Sequence, residues 1–301
     1  MSTTEAATRS IRDGYPAWLD RREYPFEHRR IELSPGHGMH YVDEGSGETV
    51  LLVHGTPTWS FEWREVIHEL SGRCRCVAPD HLGFGLSDRP ADGAYTPEWH
   101  AANLARFVEQ LDLRDVTLVV HDYGGPIGLP LALETPSRVR RLVVLNTWMW
   151  SLKDDAAVVR AARLLGGGLG RFLYRRLNFS LRVIAPAAFA DRKKLTKELH
   201  RHWLAPFPDA DSRGRVLWPL ARALTGSDAH YARLWEARER LQGMPSLIVW
   251  GMKDPAFPPH HLRRWREVLP QAEVVELPVG HWLQEEAPEE VIRATRRVLG
   301  N

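Results

Sequence analysis

Three ionisable side chains stand just beyond apolar runs of this chain: Asp122 in "VVHDYGGPIG", Asp254 in "VWGMKDPAFP" and His281 in "LPVGHWLQEEAPEE". A carboxylate at the tip of a buried strand is costly unless it has a partner or a task. One task suits it well: attack on an electrophilic sp³ carbon, an SN2 step that leaves a covalent alkyl ester on the protein. Water must then hydrolyse that ester. This second step needs a general base, the part expected of His281, and a group to orient the imidazole, the part expected of Asp254. Taken singly, Asp254 reads as well as a helix cap, and His281 as a packed core histidine. Each following its own strand, with the nucleophile first in the chain, the three read as a triad.

Around Asp122 the pattern is strand, sharp turn, helix, with Gly124 and Gly125 allowing close backbone packing as the helix begins. This is the nucleophile elbow of the α/β-hydrolase fold, with Asp where esterases place Ser. Val120 stands where a small residue is usual, and no G-x-S-x-G occurs in the chain, which argues against a serine esterase. The order nucleophile, acid, base is the order of that fold. The oxyanion hole is expected from the backbone N–H of Tyr123 and from that of Thr56, in the loop "HGTPTWSF".

These residues need a scaffold, and the chain alternates strand-like and helix-like runs. "RRIELSP" and "MHYVDEG" flank Gly36-His37-Gly38 and read as a hairpin. "TVLLVHG", "CRCVAPD", "VTLVVHD", "RVRRLVVLN", "SLIVWG" and "AEVVELP" are continuous apolar runs of the kind found in central parallel strands. The expected fold class is α/β: a mostly parallel eight-stranded sheet flanked by helices. The rhythm breaks in the middle. Residues 1–147 and 243–301 are expected to build the core, and 148–242 an inserted helical cap at the edge where such sheets bind ligands. The glycine tract Gly166–Gly170 lacks the Lys-Ser/Thr of a P-loop and reads as a turn.

Composition narrows the partners. With 40 basic and 38 acidic residues the net charge is +2, which gives no reason to expect nucleic acid or an anionic membrane. Arg171, Arg175 and Arg176 read as a solvated helix face. No run is long enough to span a bilayer, and the start has no apolar signal region. Cys74 and Cys76, two apart on a strand, are poorly placed for a disulfide and read as reduced core residues of a cytoplasmic protein. No metal or cofactor is implied, since His260-His261 and the pair His200/His202 lack a supporting ligand pattern. The expected partners are a small apolar substrate and water; the oligomeric state is left open.

With these motifs in place, the chain resembles the haloalkane dehalogenases, lidded α/β hydrolases. "MHYVDEG", "HGTPTWSFEWR", "PDHLGFGLSDRP", "HDYGGPIG", "LNTWMW", "APFPDADSR", "WGMKDPAF" and "GHWLQEEAPEE" follow that family's order over nearly the whole chain. The resemblance implies Asp122 as nucleophile, His281 as base and Asp254 as acid. "NTWMW" offers no carboxylate, so the acid falls after "SLIVWG".

Two positions depart from the family. Its halide-holding Trp after the nucleophile is Tyr123 here, and the Asn that many members place after "HG" is Thr56. Trp148, Trp150, Trp203 and Trp218 are the candidates for a replacement indole donor. The alternative is an epoxide hydrolase, which shares the triad and the HGxP pattern of "HGTP", with Tyr174 and Tyr231 as proton donors to the alkoxide. Fluoroacetate dehalogenases carry Arg after the nucleophile, so Tyr123 argues against them. A ligand-binding or luciferase-like member is the reading from another class; a pure binder has no need of a full triad.

Overall fold

The apolar runs become a sheet in the computed structural model, which describes residues 9–10 and 14–300. A two-residue strand, β1 (Arg9–Ser10), pairs antiparallel with β2 (Arg29–Glu32) at one edge. β2 and β3 (Gly38–Glu44) form the expected hairpin. The remaining strands are β4 (Thr49–Val53), β5 (Arg75–Pro79), β6 (Val116–Asp122), β7 (Val139–Thr147), β8 (Ser246–Gly251) and β9 (Glu273–Leu277). From β4 onward every pairing among these strands is parallel, and the spatial order is β1-β2-β3-β5-β4-β6-β7-β8-β9. The eight strands expected from sequence are all present, and β1 adds a short edge.

β6 and β8 are buried along their whole length, which explains their unbroken apolar runs. Each large aliphatic side chain buried there contributes roughly 1.5–3 kcal/mol. Helices α1 (Arg64–Leu70), α2 (Pro97–Gln110) and α3 (Gly124–Glu134) cover the sheet. α2 begins where Pro97 presets the first turn and the Thr96 hydroxyl accepts from Trp99 N–H. Cys74 and Cys76 are free thiols in the core.

Between β7 and β8 the described residues form helices and no strand. α4 (Ala156–Gly166) and α5 (Gly168–Leu177) meet at the glycine tract, which makes the corner between them. The helices Lys197–Leu204, Trp218–Gly226 and Asp228–Glu236 follow. The insertion is fastened to the sheet side by polar contacts: Trp59 Nε1–H donates to His202 O at 3.0 Å, and Arg89 to Pro206 O at 2.7 Å. No helix among the described residues is long and apolar enough to cross a membrane.

Candidate active site

β6 ends in a forced turn. Asp122 has φ +51°, and the register with β7 shifts between His121 and Asp122. The backbone doubles back at once into α3, so the carboxylate stands clear of the sheet edge. Two glycines allow this. A Cβ at Gly124 would strike the Val53 carbonyl, and one at Gly55 would strike the Asp122 side chain itself.

The three residues singled out in the sequence converge here. Asp122 Oδ1 accepts the backbone N–H of Thr56 at 2.8 Å, and the backbone N–H of Tyr123 adds to the pull on this carboxylate's charge. Its Oδ2 lies 3.6 Å from His281 Nε2. That is too far for a hydrogen bond, so this oxygen is unclamped. On the other side of the ring, His281 Nδ1–H donates to Asp254 Oδ2 at 2.7 Å. Asp254 Oδ1 accepts from Ala256 N–H, also at 2.7 Å.

Sequence reasoning missed a fourth member. Asn146, on β7, donates through Nδ2 to the same Asp254 Oδ2 at 2.7 Å, and its Oδ1 accepts Gly251 N–H. Behind the imidazole, His121 Nε2–H donates to the His281 carbonyl at 3.0 Å, and the Phe257 ring stacks on His281 at 5.6 Å. The loop carrying His281 is also tied to the insertion. His281 N–H donates to Ala188 O, Trp282 Nε1–H to Ala185 O, and Glu286 accepts from the N–H groups of Ala190 and Asp191.

Charge is distributed to suit this geometry. Burial raises the Asp122 carboxyl, against the pull of His281 and the two backbone N–H groups. Burial alone would lower His281, but Asp254 and then Asp122 outweigh it and push the imidazole up to about 9. Asp254 is itself held down: its burial is outweighed by His281 and by donors from Ala256 and Asn146.

A cavity of about 410 Å³ opens over Asp122, lined mostly by apolar side chains of the insertion. Trp148 is part of its wall. The indole packs edge-on against Tyr123 at 4.7 Å and stacks on Phe257 at 5.4 Å. Its buried Nε1–H has no hydrogen-bond partner among the described residues.

The other candidates fare differently. Tyr123 lines the cavity, but its hydroxyl donates to Leu220 O at 2.5 Å, because the longer phenol reaches past the carboxylate into the insertion. Trp150 faces a neighbouring surface pocket, held between Trp235, Trp265 and His261. Tyr231 is outside the cavity wall, its hydroxyl donating to Ala223 O at 3.0 Å. Trp203 packs on Trp282, and Trp218 donates to Leu165 O. Of the two insertion tyrosines, Tyr174 alone lines the cavity, with burial raising its hydroxyl to about 12. Such an arrangement can present one carboxylate oxygen to a carbon electrophile, hold the other against the Thr56 N–H, and keep an imidazole beside the carboxylate.

Residues 48–288 match a family model described as alpha/beta hydrolase fold. "Haloalkane dehalogenase 2" of Mycobacterium tuberculosis is 39% identical over 280 residues, spanning 91% of this chain and 96% of that protein. A "Cis-3-alkyl-4-alkyloxetan-2-one decarboxylase" of Shewanella oneidensis is 36% identical over 277 residues, spanning 89% and 86%. Among solved structures, the haloalkane dehalogenase DatA from Agrobacterium tumefaciens superposes with a TM-score of 0.80 at 28% identity, over 91% of this chain and 96% of that one.

Proposed function

The chain belongs to the alpha/beta hydrolase family and, within it, to the haloalkane dehalogenases; from that premise we propose a mechanism in which Asp122 is the nucleophile of a two-step hydrolysis of carbon–halogen bonds. The observation that carries it is the split environment of the Asp122 carboxylate. Oδ1 is held by the N–H of Thr56, while Oδ2 faces His281 Nε2 at 3.6 Å, outside hydrogen-bond distance.

In the first step Oδ2 attacks the carbon bearing the halogen. The C–O bond forms as the carbon–halogen bond breaks, and halide departs with the electron pair. Trp148 Nε1–H, buried and unpaired among the described residues, is the donor assigned to the departing halide. In the second step water attacks Cγ of the ester. His281 Nε2 takes the water proton, Asp254 holds the imidazolium, and the Oδ1 oxyanion stays on the Thr56 N–H already bonded to it. The Cγ–Oδ2 bond then breaks and the alcohol leaves with a proton from His281, regenerating the Asp122 carboxyl group. Alkylation removes the negative charge of Asp122, one of the charges that hold the His281 proton. The imidazole therefore becomes ready to act as a base when its turn comes. Residues 148–242 serve as the cap that sets the size of the apolar pocket. The free thiols fit a cytoplasmic setting.

A second reading rests on the 36% identical oxetanone decarboxylase. The same nucleophile attacking a strained lactone at its alkyl carbon would expel a carboxylate instead of a halide. Loss of carbon dioxide from that carboxylate as the alkyl C–O bond to Asp122 breaks would then give the alkene and free the aspartate. An epoxide hydrolase has less support, because Tyr174 is the only expected insertion tyrosine on the cavity wall. The test is product release from 1-bromobutane, 1,2-dibromoethane, styrene oxide and a cis-3,4-dialkyloxetan-2-one. Bromide without diol or alkene is expected. Diol alone, or alkene and carbon dioxide alone, would overturn the dehalogenase reading. His281→Ala should accumulate the alkyl ester on Asp122 as a mass increase; its absence after exposure to a turned-over substrate would remove Asp122 from the role.

A further inference from the structure

Away from the triad, three metal-ligating side chains meet where the cavity adjoins the neighbouring surface pocket. Asp155 opens α4 in the insertion. His260 and His261 lie in the first turn of the helix Pro259–Val268, in the segment that follows β8. The histidine pair is visible in sequence; its third partner lies far upstream, brought in by the packing of the insertion.

The two oxygens of Asp155 do different things. Oδ1 caps α4, accepting from Ala157 N–H at 2.9 Å and Val158 N–H at 3.1 Å. Oδ2 faces the histidines, 3.5 Å from His260 Nε2 and 4.0 Å from His261 Nε2. One ligating atom from each of the three residues falls within 4.8 Å of the others. A tetrahedral ion with bonds of about 2.0–2.1 Å separates its ligands by about 3.4 Å. Small side-chain rotations would close the set.

His261 supplies the second, independent observation. Its ring is 2% exposed, and neither nitrogen has a hydrogen-bond partner among the described residues. A buried polar group left unpaired is costly. Trp150, stacked at 5.6 Å, and Phe257, edge-on at 5.5 Å, fix the ring without satisfying it. The nearby cation, Arg264, lies over the Trp150 and Trp235 rings.

We propose that Asp155, His260 and His261 bind a zinc-class transition-metal dication that bridges the insertion to the core beside the cavity. Two imidazoles and one carboxylate suit zinc, copper or nickel and not magnesium or calcium. Three protein ligands leave a coordination position for water. The ion would tie the start of α4 to the helix Pro259–Val268, adding a link between segments that otherwise meet through packing and the Asp155–histidine contacts.

The test is titration of the untagged full chain, first treated with chelator, with zinc chloride, followed by calorimetry and by thermal unfolding. One ion per chain with micromolar affinity and a raised Tm are expected, with no response to magnesium at the same concentration. His260→Ala, at an exposed ring, and Asp155→Asn, which keeps the oxygen that caps α4, should each weaken binding by about tenfold or more and abolish the Tm rise. His68→Ala, an exposed histidine elsewhere, should change neither. Absence of stoichiometric binding, or binding unchanged in both His260→Ala and Asp155→Asn, would overturn the proposal. Neither readout depends on the substrate or on Asp122.

Discussion

Asn146 and Asp254, on neighbouring strand ends, are joined by a 2.7 Å hydrogen bond to the same carboxylate oxygen that receives His281 Nδ1–H. One oxygen thus serves two donors, and the amide fixes the direction in which the carboxylate presents it. A hydrogen bond to a charged group contributes about 1.5–3 kcal/mol. Asn146→Ala should lower kcat about tenfold or more while leaving KM within about twofold. Steady-state kinetics on 1-bromobutane read the split. An unchanged kcat would mean that Ala256 N–H alone holds Asp254.

The unpaired indole of Trp148 makes a sharper prediction. Trp148→Phe keeps an aromatic ring against Tyr123 and Phe257 and removes the N–H donor together with part of the indole's volume. Loss of a donor to developing charge costs roughly 10²–10³-fold in rate. We expect a fall of that order in kcat/KM for bromoalkanes, together with weaker inhibition by added bromide. A variant that keeps both would exclude the indole as halide donor.

Tyr123→Phe should behave in the opposite way. Its hydroxyl is occupied by Leu220 O, so its loss removes one buried hydrogen bond and should cost about 0.5–1.5 kcal/mol of stability. Turnover should change by less than about threefold, since the backbone N–H that holds Asp122 remains. A large fall in kcat with unchanged Tm would show that the phenol takes part in the chemistry.

The fold's pH dependence follows from His281. Its folded value, about 9, lies above the ordinary imidazole value of 6.5. A raised value favours the folded state fully below the unfolded value, and that stabilisation is lost as pH rises through the folded one. Stability should therefore decline between about pH 6.5 and 9, by on the order of 3 kcal/mol. His281→Gln should flatten that limb of a Tm-against-pH curve. Persistence of the slope in the variant would assign it to other groups.

The sequence revealed most of the frame because its central strands are buried on both faces. Unbroken apolar runs announce β6 and β8, and a charged residue just after such a run stands out; hence Asp122, Asp254 and His281 were legible. Asn146 was not, because a lone amide at a strand end carries no motif. Its role arises only when β7 lies beside β8. The aromatic candidates could not be sorted for a related reason. Trp148 and Trp150 are two apart in sequence, yet one lines the cavity over Asp122 and the other a separate pocket. Side-chain aim in the insertion depends on helix packing that no local pattern encodes.

The stitching of the His281 loop to residues 185–191 bears on the traffic of molecules. Four hydrogen bonds join that loop and Glu286 to the insertion. Swinging this end outward would break them together, at a net cost of about 1 kcal/mol each, and would carry His281 away from Asp122. This edge therefore acts as a fixed seam, one that keeps His281 in register with Asp122 whatever moves through the cavity.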